Sequence, residues 1–274
     1  MPELPEVQAV VDALVPRLPG HRIVRVRVRR ADVAVPSGAA LVRALQGARI
    51  QSVRRRAKNI LIETDRPLIL RVHLGMTGQL LYFRGQAGRP GHTAVSLVLD
   101  GDATLVYSDV RRFGRVEALS SSEWRDRESE LGPEPLDPSL TPDLLSDRLA
   151  RSESPIRSWL LDPRQIAGIG NIYATEALHA AGIHPRRPAS SLDAPEVALL
   201  LTSLRASLRL GIDSGGTTLR DYRNIDGQQG ENAKNLRAYG REGSACKRCG
   251  TPIERLTFGG RSAFLCPSCQ PVQR

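Results

Sequence analysis

All four cysteines of the chain fall within 24 residues, as Cys246-x-x-Cys249 and, sixteen residues later, Cys266-x-x-Cys269. Two such knuckles at this separation have the spacing of a tetrathiolate zinc site. The strand-like runs 253–258 and 262–265 around Gly259-Gly260 make the segment between them a β-hairpin. Two disulfides are the alternative, but a cytosolic chain keeps its thiols reduced. Four thiolates leave no open coordination position, so Cys246, Cys249, Cys266 and Cys269 are expected to hold one structural Zn2+. A metal-closed ribbon is a module of its own, and the rest of the chain must supply the larger core and any chemistry.

That remainder changes period along its length. Leu4, Val7, Val11, Leu14 and Leu18 recur at three- and four-residue spacing, which predicts an amphipathic helix. From Arg22 the period is two: Arg25-Val26-Arg27-Val28-Arg29 alternates, and strand-like runs follow at 59–63, 68–73, 79–83, 94–99 and 103–107. Gly75, Gly78, Gly85, Gly91 and Gly101 punctuate them. One leading helix and many short strands predict a β-sandwich of about 120 residues. Residues 131–138, Leu-Gly-Pro-Glu-Pro-Leu-Asp-Pro, read as a linker. Beyond it the spacing is helical, with a start at Thr141-Pro142-Asp143 and helices over 171–181 and 195–210. Ala167-Gly-Ile-Gly-Asn171 opens one of these helices. It reads either as free amides facing a phosphate or as a plain interhelical turn.

Charge narrows the partner. There are 39 Lys+Arg against 29 Asp+Glu, a net +10, which points to a polyanion. No basic amphipathic helix stands out, no apolar stretch approaches the roughly 18 residues of a spanning helix, and Met1 opens directly onto Pro-Glu-Leu-Pro-Glu. The expectation is a soluble cytoplasmic protein with no membrane partner. Residues 33–62 lack any acid but contain Arg43, Arg49, Arg54, Arg55, Arg56 and Lys58. Such a run fits phosphate contact better than a solvated surface. Only Lys58, Lys234 and Lys247 are lysines. A GC-rich genome explains the arginines, and a lysine that persists under such pressure is a candidate for chemistry.

The amino terminus offers that chemistry in another form. Removal of Met1, which small second residues generally allow, leaves Pro2 as a free secondary amine. An α-amino group titrates near pH 8, and amines attack aldehyde-like carbons to form Schiff bases. Glu3 follows and Glu6 lies one turn on. The same residues also read as a proline in a first helical turn with acids at the positive helix end. Locally, both readings stand.

Several motifs, in order, carry a resemblance. They are Met1-Pro-Glu-Leu-Pro-Glu-Val7, Arg55-Arg-Ala-Lys58, His73-Leu-Gly-Met-Thr-Gly78, Asp109-Val-Arg-Arg-Phe-Gly114 and Gly168-Ile-Gly-Asn-Ile-Tyr-Ala-Thr-Glu176. Gly215-Gly-Thr-Thr-Leu-Arg-Asp221, Tyr239-Gly-Arg241, the four cysteines and Gly260-Arg-Ser262 complete them. Along its whole length the chain resembles the formamidopyrimidine-DNA glycosylases, relatives of endonuclease VIII. Leu4 after Glu3 resembles the formamidopyrimidine branch; endonuclease VIII proteins typically have Gly there. The resemblance implies an α+β fold. An N-terminal catalytic β-sandwich with a leading helix would span 1–130, a helical helix-two-turn-helix DNA-binding domain 131–238, and a β-hairpin zinc finger 239–274.

It also implies a bifunctional glycosylase and abasic-site lyase of base excision repair, a monomer acting on damaged double-stranded DNA in the bacterial nucleoid. Pro2 would form the Schiff base and Glu3 serve as acid and base, while β,δ-elimination cuts the strand. Lys58 resembles a lysine gripping phosphate beside the lesion, and Arg261 an arginine bridging the phosphates around the flipped nucleotide. His73 and Asn171 resemble further phosphate ligands. Met76, Arg111 and Phe113 resemble the residues that fill the gap, and Arg112 lies in the same motif. Two departures bear on lesion preference. Arg157 stands where many members have lysine, and Gly230-Glu-Asn-Ala-Lys234 where a Tyr-Phe-Gln run is common. The leading expectation is excision of formamidopyrimidines and 8-oxoguanine. The alternatives are oxidised pyrimidines, as for endonuclease VIII, or a non-catalytic damaged-DNA-binding zinc protein.

Overall fold

The computed structural model describes residues 1–85, 90–258 and 260–272, so Gly259 of the hairpin turn lies outside the described residues. It separates into two units. One is Met1–Glu130 with Gly211–Ala233; the other is Leu131–Leu210 with Lys234–Arg274. The chain thus returns to the first unit after the long helix, and residues 211–233 of the segment expected to be helical belong with the β-domain.

The first unit opens with α1 (Leu4–Leu14), shorter than the hydrophobic spacing predicts. Leu18 is buried but sits past the helix end, in a turn whose amides bond back to Leu14. Then come β1 (Ile23–Val28), β2 (Ala34–Val35), α2 (Gly38–Leu45), β3 (Ile50–Arg56), β4 (Asn59–Thr64), β5 (Leu68–His73), β6 (Gly78–Arg84), β7 (Thr93–Leu99), β8 (Ala103–Asp109), β9 (Arg115–Ser120) and α3 (Ser121–Ser129). Strands β1-β7-β8-β6 form one sheet and β2-β9-β5-β4-β3 the other. Leu70, Val72 and Val116 of the second sheet share one core with Leu80, Val95, Leu97 and Leu105 of the first. Val7, Val10, Val11 and Leu14 of α1 join it. This is the expected sandwich, with apolar side chains alternating inward from both sheets.

The sequence reading missed α2 and α3. Helix α2 lies inside the acid-free run, capped by the Ser37 hydroxyl, with Leu41 and Leu45 buried. Helix α3 is almost wholly polar and buries only Trp124, so no apolar stripe betrays it; a Ser120–Glu123 capping box starts it.

The second unit holds α4 (Pro142–Leu149), α5 (Ile156–Leu161), α6 (Asn171–Ala181) and most of α7 (Ala194–Asp213), then the hairpin β10 (Glu254–Phe258) and β11 (Arg261–Leu265). Gly182 ends α6 in the left-handed region, with its amide bonded to α6 carbonyls. Among the described residues no helix is long and apolar enough to cross a membrane.

Candidate active site and metal centre

At the amino terminus the structure defines where the helix starts. Glu3, not Pro2, is the N-cap of α1: its carboxylate accepts the Glu6 amide while Glu6 Oε2 accepts the Glu3 amide at 2.7 Å. Pro5 fills the first helical turn, so Pro2 lies one residue outside the helix and has no part in starting it. Pro2, Glu3 and Glu6 are all buried. Glu6 Oε1 accepts the amide of Thr217 at 2.7 Å, so this carboxylate joins α1 to a segment more than two hundred residues away in sequence.

That segment, 214–232, is stitched to itself. The Asn232 side chain donates to Thr217 Oγ1 at 2.9 Å, and the amides of Glu231 and Asn232 bond to the carbonyls of Ser214 and Gly216. Gly216 has φ +91°, and a Cβ there would lie 2.7 Å from the Tyr222 ring and 3.0 Å from Glu6 Cγ. The buried Tyr222 hydroxyl donates to the Glu6 carbonyl, and burial pushes its pKa up. Asn232, one of the departures from the family pattern, is therefore a buried strut of this segment.

Lys58 and His73 are brought to one place by strand pairing. Arg56 pairs with Asn59 across β3 and β4, leaving Ala57 and Lys58 as a two-residue turn with Ala57 at φ +54°. Asn59 in turn stands opposite His73 on β5. Burial, with the charges of Arg71 and Lys58, lowers the His73 pKa to about 4, so the imidazole is neutral at pH 7. Its Nδ1 accepts the Gly75 amide at 3.2 Å, which puts the proton on Nε2. His73 is thus a neutral donor beside an ammonium.

Met76 and Phe113 sit on separate loops, after β5 and β8, and both are large apolar side chains left 41% and 54% exposed. One buried carboxylate roots both loops. Asp109 Oδ1 accepts Thr77 Oγ1 at 2.6 Å and the Arg111 amide at 3.2 Å; Oδ2 accepts the Tyr107 hydroxyl and the Gly114 amide, each at 2.9 Å. A Cβ on Gly75 would fall 2.5 Å from the Gly114 nitrogen, so only glycine lets the loops touch. The Arg111 guanidinium lies 4.6 Å from the Phe113 ring centroid. Arg112, at φ +58°, instead pairs with Asp32 at 3.0 Å.

Most of the other cations in the acid-free run are engaged within the fold. Arg54 bonds Glu63, Arg55 bonds Gln8, Arg56 bonds Glu128 and Arg49 bonds the Gly20 carbonyl. Two of these partners, Glu63 and Glu128, are acids supplied from outside the run.

In the second unit Arg157 is 2% exposed. Its guanidinium donates to Asn171 Oδ1 at 2.7 Å and to the Ser262 carbonyl at 3.1 Å, and Asn171 Nδ2 donates to the same carbonyl at 2.8 Å. The start of α6 is thereby tied to the hairpin one residue from Arg261. Arg157 and Arg186 both lie over the Phe258 ring, at 5.4 and 5.3 Å, and Phe258 pairs with Arg261 across the turn. Burial and the nearby Arg261 lower the Arg157 pKa. Among the described residues no carboxylate pairs with Arg157, which leaves a buried cationic group short of an anion.

The four cysteine sulfurs all lie within 4.8 Å of one another. Cys249 is 3.4 Å from Cys266 and 3.5 Å from Cys269, and Cys246 is 4.0 Å from Cys269. Zn–S bonds of about 2.3 Å in a tetrahedron put sulfurs roughly 3.8 Å apart, and a disulfide needs about 2.05 Å, so the set fits one zinc ion. The Arg248 amide donates to Cys246 and the Cys269 amide to Cys266, each at 3.4 Å. Glu176 of α6 accepts the amides of Arg237, Ala238 and Tyr239, fixing the chain that leads into the cluster.

Asp109, Thr77, Thr217, Asn232 and Glu176 stand in stretches that the sequence reading singled out, but their role of holding these groups was not assigned there. Glu3 and Glu6 were read as acids at a helix end, not as a reciprocal cap.

Three known families match in succession. The Formamidopyrimidine-DNA glycosylase N-terminal domain matches residues 1–116, its H2TH domain 131–223, and the zinc finger found in FPG and IleRS 243–272. The chain is 42% identical to a protein named formamidopyrimidine-DNA glycosylase from Pectobacterium atrosepticum, over 98% of this chain and all of that one. It is 45% identical to one of the same name from Rhizorhabdus wittichii, with the same coverage. Among solved structures, Lactococcus lactis Fpg in complex with an abasic site containing DNA superposes with a TM-score of 0.91 at 31% identity, covering 98% of this chain and 99% of that one. MutM in complex with carbocyclic 8-oxo-G containing DNA gives 0.91 at 32% identity, covering 98% and 100%.

Proposed function

The chain belongs to the formamidopyrimidine-DNA glycosylase family, and from that premise we propose that it excises oxidised purines from duplex DNA and then cleaves the strand, with Pro2 as nucleophile. The observation that carries this reading is the position of Pro2. It precedes the N-cap and contributes nothing to the helix, while Pro5 occupies the first turn and Glu3 holds the cap beside it.

Once Met1 is removed, the Pro2 nitrogen attacks C1′ of the flipped nucleotide and the damaged base leaves with the bonding electrons. Glu3 donates a proton to the ring oxygen as the sugar opens to an iminium. The iminium acidifies the C2′ proton; its loss expels the 3′ phosphate, and a second elimination expels the 5′ phosphate. Water then releases Pro2. No metal or cofactor takes part in these steps, and the zinc stays architectural.

Lys58 and the Nε2–H of His73 hold phosphate at the lesion. Met76, Arg111 and Phe113 fill the vacated space, with Arg111 facing the unpaired cytosine and Arg112 beside it. Asn171 and Arg261 supply the phosphate contacts of the second unit, and the buried Arg157 holds Asn171 against the hairpin. The enzyme works as a monomer in the cytoplasm, on nucleoid DNA.

Borohydride reduction of the iminium tests this directly. An 8-oxoguanine:cytosine duplex should yield a covalent adduct that Pro2→Gly abolishes and Glu3→Gln strongly reduces. Absence of an adduct with any lesion or abasic site would overturn the catalytic reading. Trapping with thymine glycol alone would reassign the substrate to oxidised pyrimidines.

A further inference from the structure

Helix α6 begins at Asn171 and reaches the cysteine cluster near its other end. There His179, 1% exposed, places Nε2 3.4 Å from Cys246 Sγ, while its Nδ1 is buried with no hydrogen-bond partner. We propose that His179 is a positioning residue of the zinc site, donating Nε2–H to the Cys246 thiolate and so tethering the metal cluster to α6.

The tautomer follows from the donor set. A zinc-bound thiolate only accepts, so the ring atom facing it must carry the proton. With that proton on Nε2, the unpartnered Nδ1 is a bare lone pair, cheaper to bury than an unpaired N–H. Charge agrees with this. Four thiolates around Zn2+ leave a net charge of −2, which favours a donated proton over an accepting nitrogen at Cys246. The sulfur also takes the Arg248 amide, so His179 adds a side-chain donor to a backbone one.

The rest of α6 and its outgoing turn show that the helix is the platform for the module. Arg248 donates to the Ala180 carbonyl at 2.8 Å, and the buried Gln270 side chain donates to the Ile183 carbonyl at 2.8 Å. These contacts hold the backbone around the ligands. His179 is the side chain of α6 that reaches a ligating atom. The consequence is that occupancy of the metal site and the orientation of α6, whose first residue is Asn171, are mechanically linked. The inference concerns the metal centre alone and stands whichever lesion the enzyme takes.

Two measurements on the full chain test it. In the 113Cd-substituted, 15N-histidine-labelled protein, the His179 Nε2 proton should show a scalar coupling to cadmium through the hydrogen bond. A ring protonated at Nδ1, or an Nε2 proton without that coupling, would overturn the proposal. In the zinc-loaded protein, His179→Phe should release zinc to excess chelator about tenfold faster than the parent, the lower end of the usual effect of losing a ligand's outer partner. His179→Gln carries an N–H near the Nε2 position and should restore release to within about twofold. In the cobalt-substituted protein, the thiolate-to-metal charge-transfer band should shift in the Phe variant and return in the Gln variant. Release and spectra unchanged in His179→Phe, or no rescue by Gln, would overturn the proposal. The cadmium coupling needs no variant, so it decides the matter even if a substitution prevents folding.

Discussion

Thr77 donates its hydroxyl to Asp109 Oδ1 at 2.6 Å, so the loop carrying Met76 and the loop carrying Arg111 and Phe113 are rooted on one buried carboxylate. Asp109→Ala strips that acceptor from Thr77, Tyr107, Arg111 and Gly114. Unsatisfied buried donors cost about 1–3 kcal/mol each. Relaxation and water entry will recover part of this, so a loss of about 3 kcal/mol in urea unfolding is expected. A 2-aminopurine placed opposite the lesion should lose most of its enzyme-induced fluorescence change. Unchanged stability and signal would remove Asp109 from this role.

His73 carries a pH signature. Its folded pKa of about 4 lies below the ordinary 6.5, so between these values the unfolded chain binds more protons. Its stabilising contribution is complete above about pH 6.5 and declines as pH falls towards 4. Imidazole NMR shifts should show the ring neutral at pH 5, and His73→Gln should flatten this part of the stability profile. A midpoint near 6.5 would refute the burial of its neutral form.

Arg157 and Arg261 should separate in salt titrations. Arg261→Ala is expected to weaken DNA binding and to lower the slope of log K against log salt by about one unit, the signature of a lost phosphate contact. Arg157→Lys keeps the charge but loses the planar guanidinium that lies over Phe258 while its Nη2 donates to both Asn171 and Ser262. It should leave the slope near the parent value and speed amide exchange in the hairpin. Equal slope losses for both would assign Arg157 a phosphate of its own.

Gly216→Ala tests the seat of the 214–232 segment. The added methyl meets the Tyr222 ring and Glu6 at a backbone angle that disfavours alanine. A loss of roughly 1–3 kcal/mol is expected from strain of this kind, together with reduced borohydride trapping, since Glu6 also bonds the Glu3 amide. Trapping at the parental rate would uncouple the segment from the amino terminus.

Stripping zinc should unfold the hairpin of β10 and β11 and abolish tight DNA binding while leaving the β-sandwich folded. Hairpin amide signals that persist after verified metal removal would contradict a structural ion.

The parts legible in advance share one property: their information is local. Two Cys-x-x-Cys knuckles specify a metal and its geometry without reference to the rest of the chain. The strand-like run at 68–73 and the helical segment at 171–181 coincide with β5 and α6, because each is an apolar stretch that the fold buries, Ile69, Leu70 and Val72 in one and Ile172 to His179 in the other. Helix α3, which buries only Trp124, carried no such mark. The motifs likewise named Pro2, Glu3, Lys58 and Arg261 as candidates, since residue type and order persist through a family resemblance.

Long-range partners were another matter. The acid-free run gave no sign that Glu63 and Glu128 would pair with Arg54 and Arg56. Glu6 read as a helix-end charge, yet its second oxygen belongs to Thr217. The sequence by itself determined the metal site, the sandwich, the helical region and the candidate residues of the chemistry. Only the tertiary structure decided that Pro2 lies outside its helix, that Asp109 roots two loops and that Arg157 is buried against Asn171. Each depends on a hydrogen bond, a burial or a cap formed by the folded backbone, and composition and period do not encode such distances.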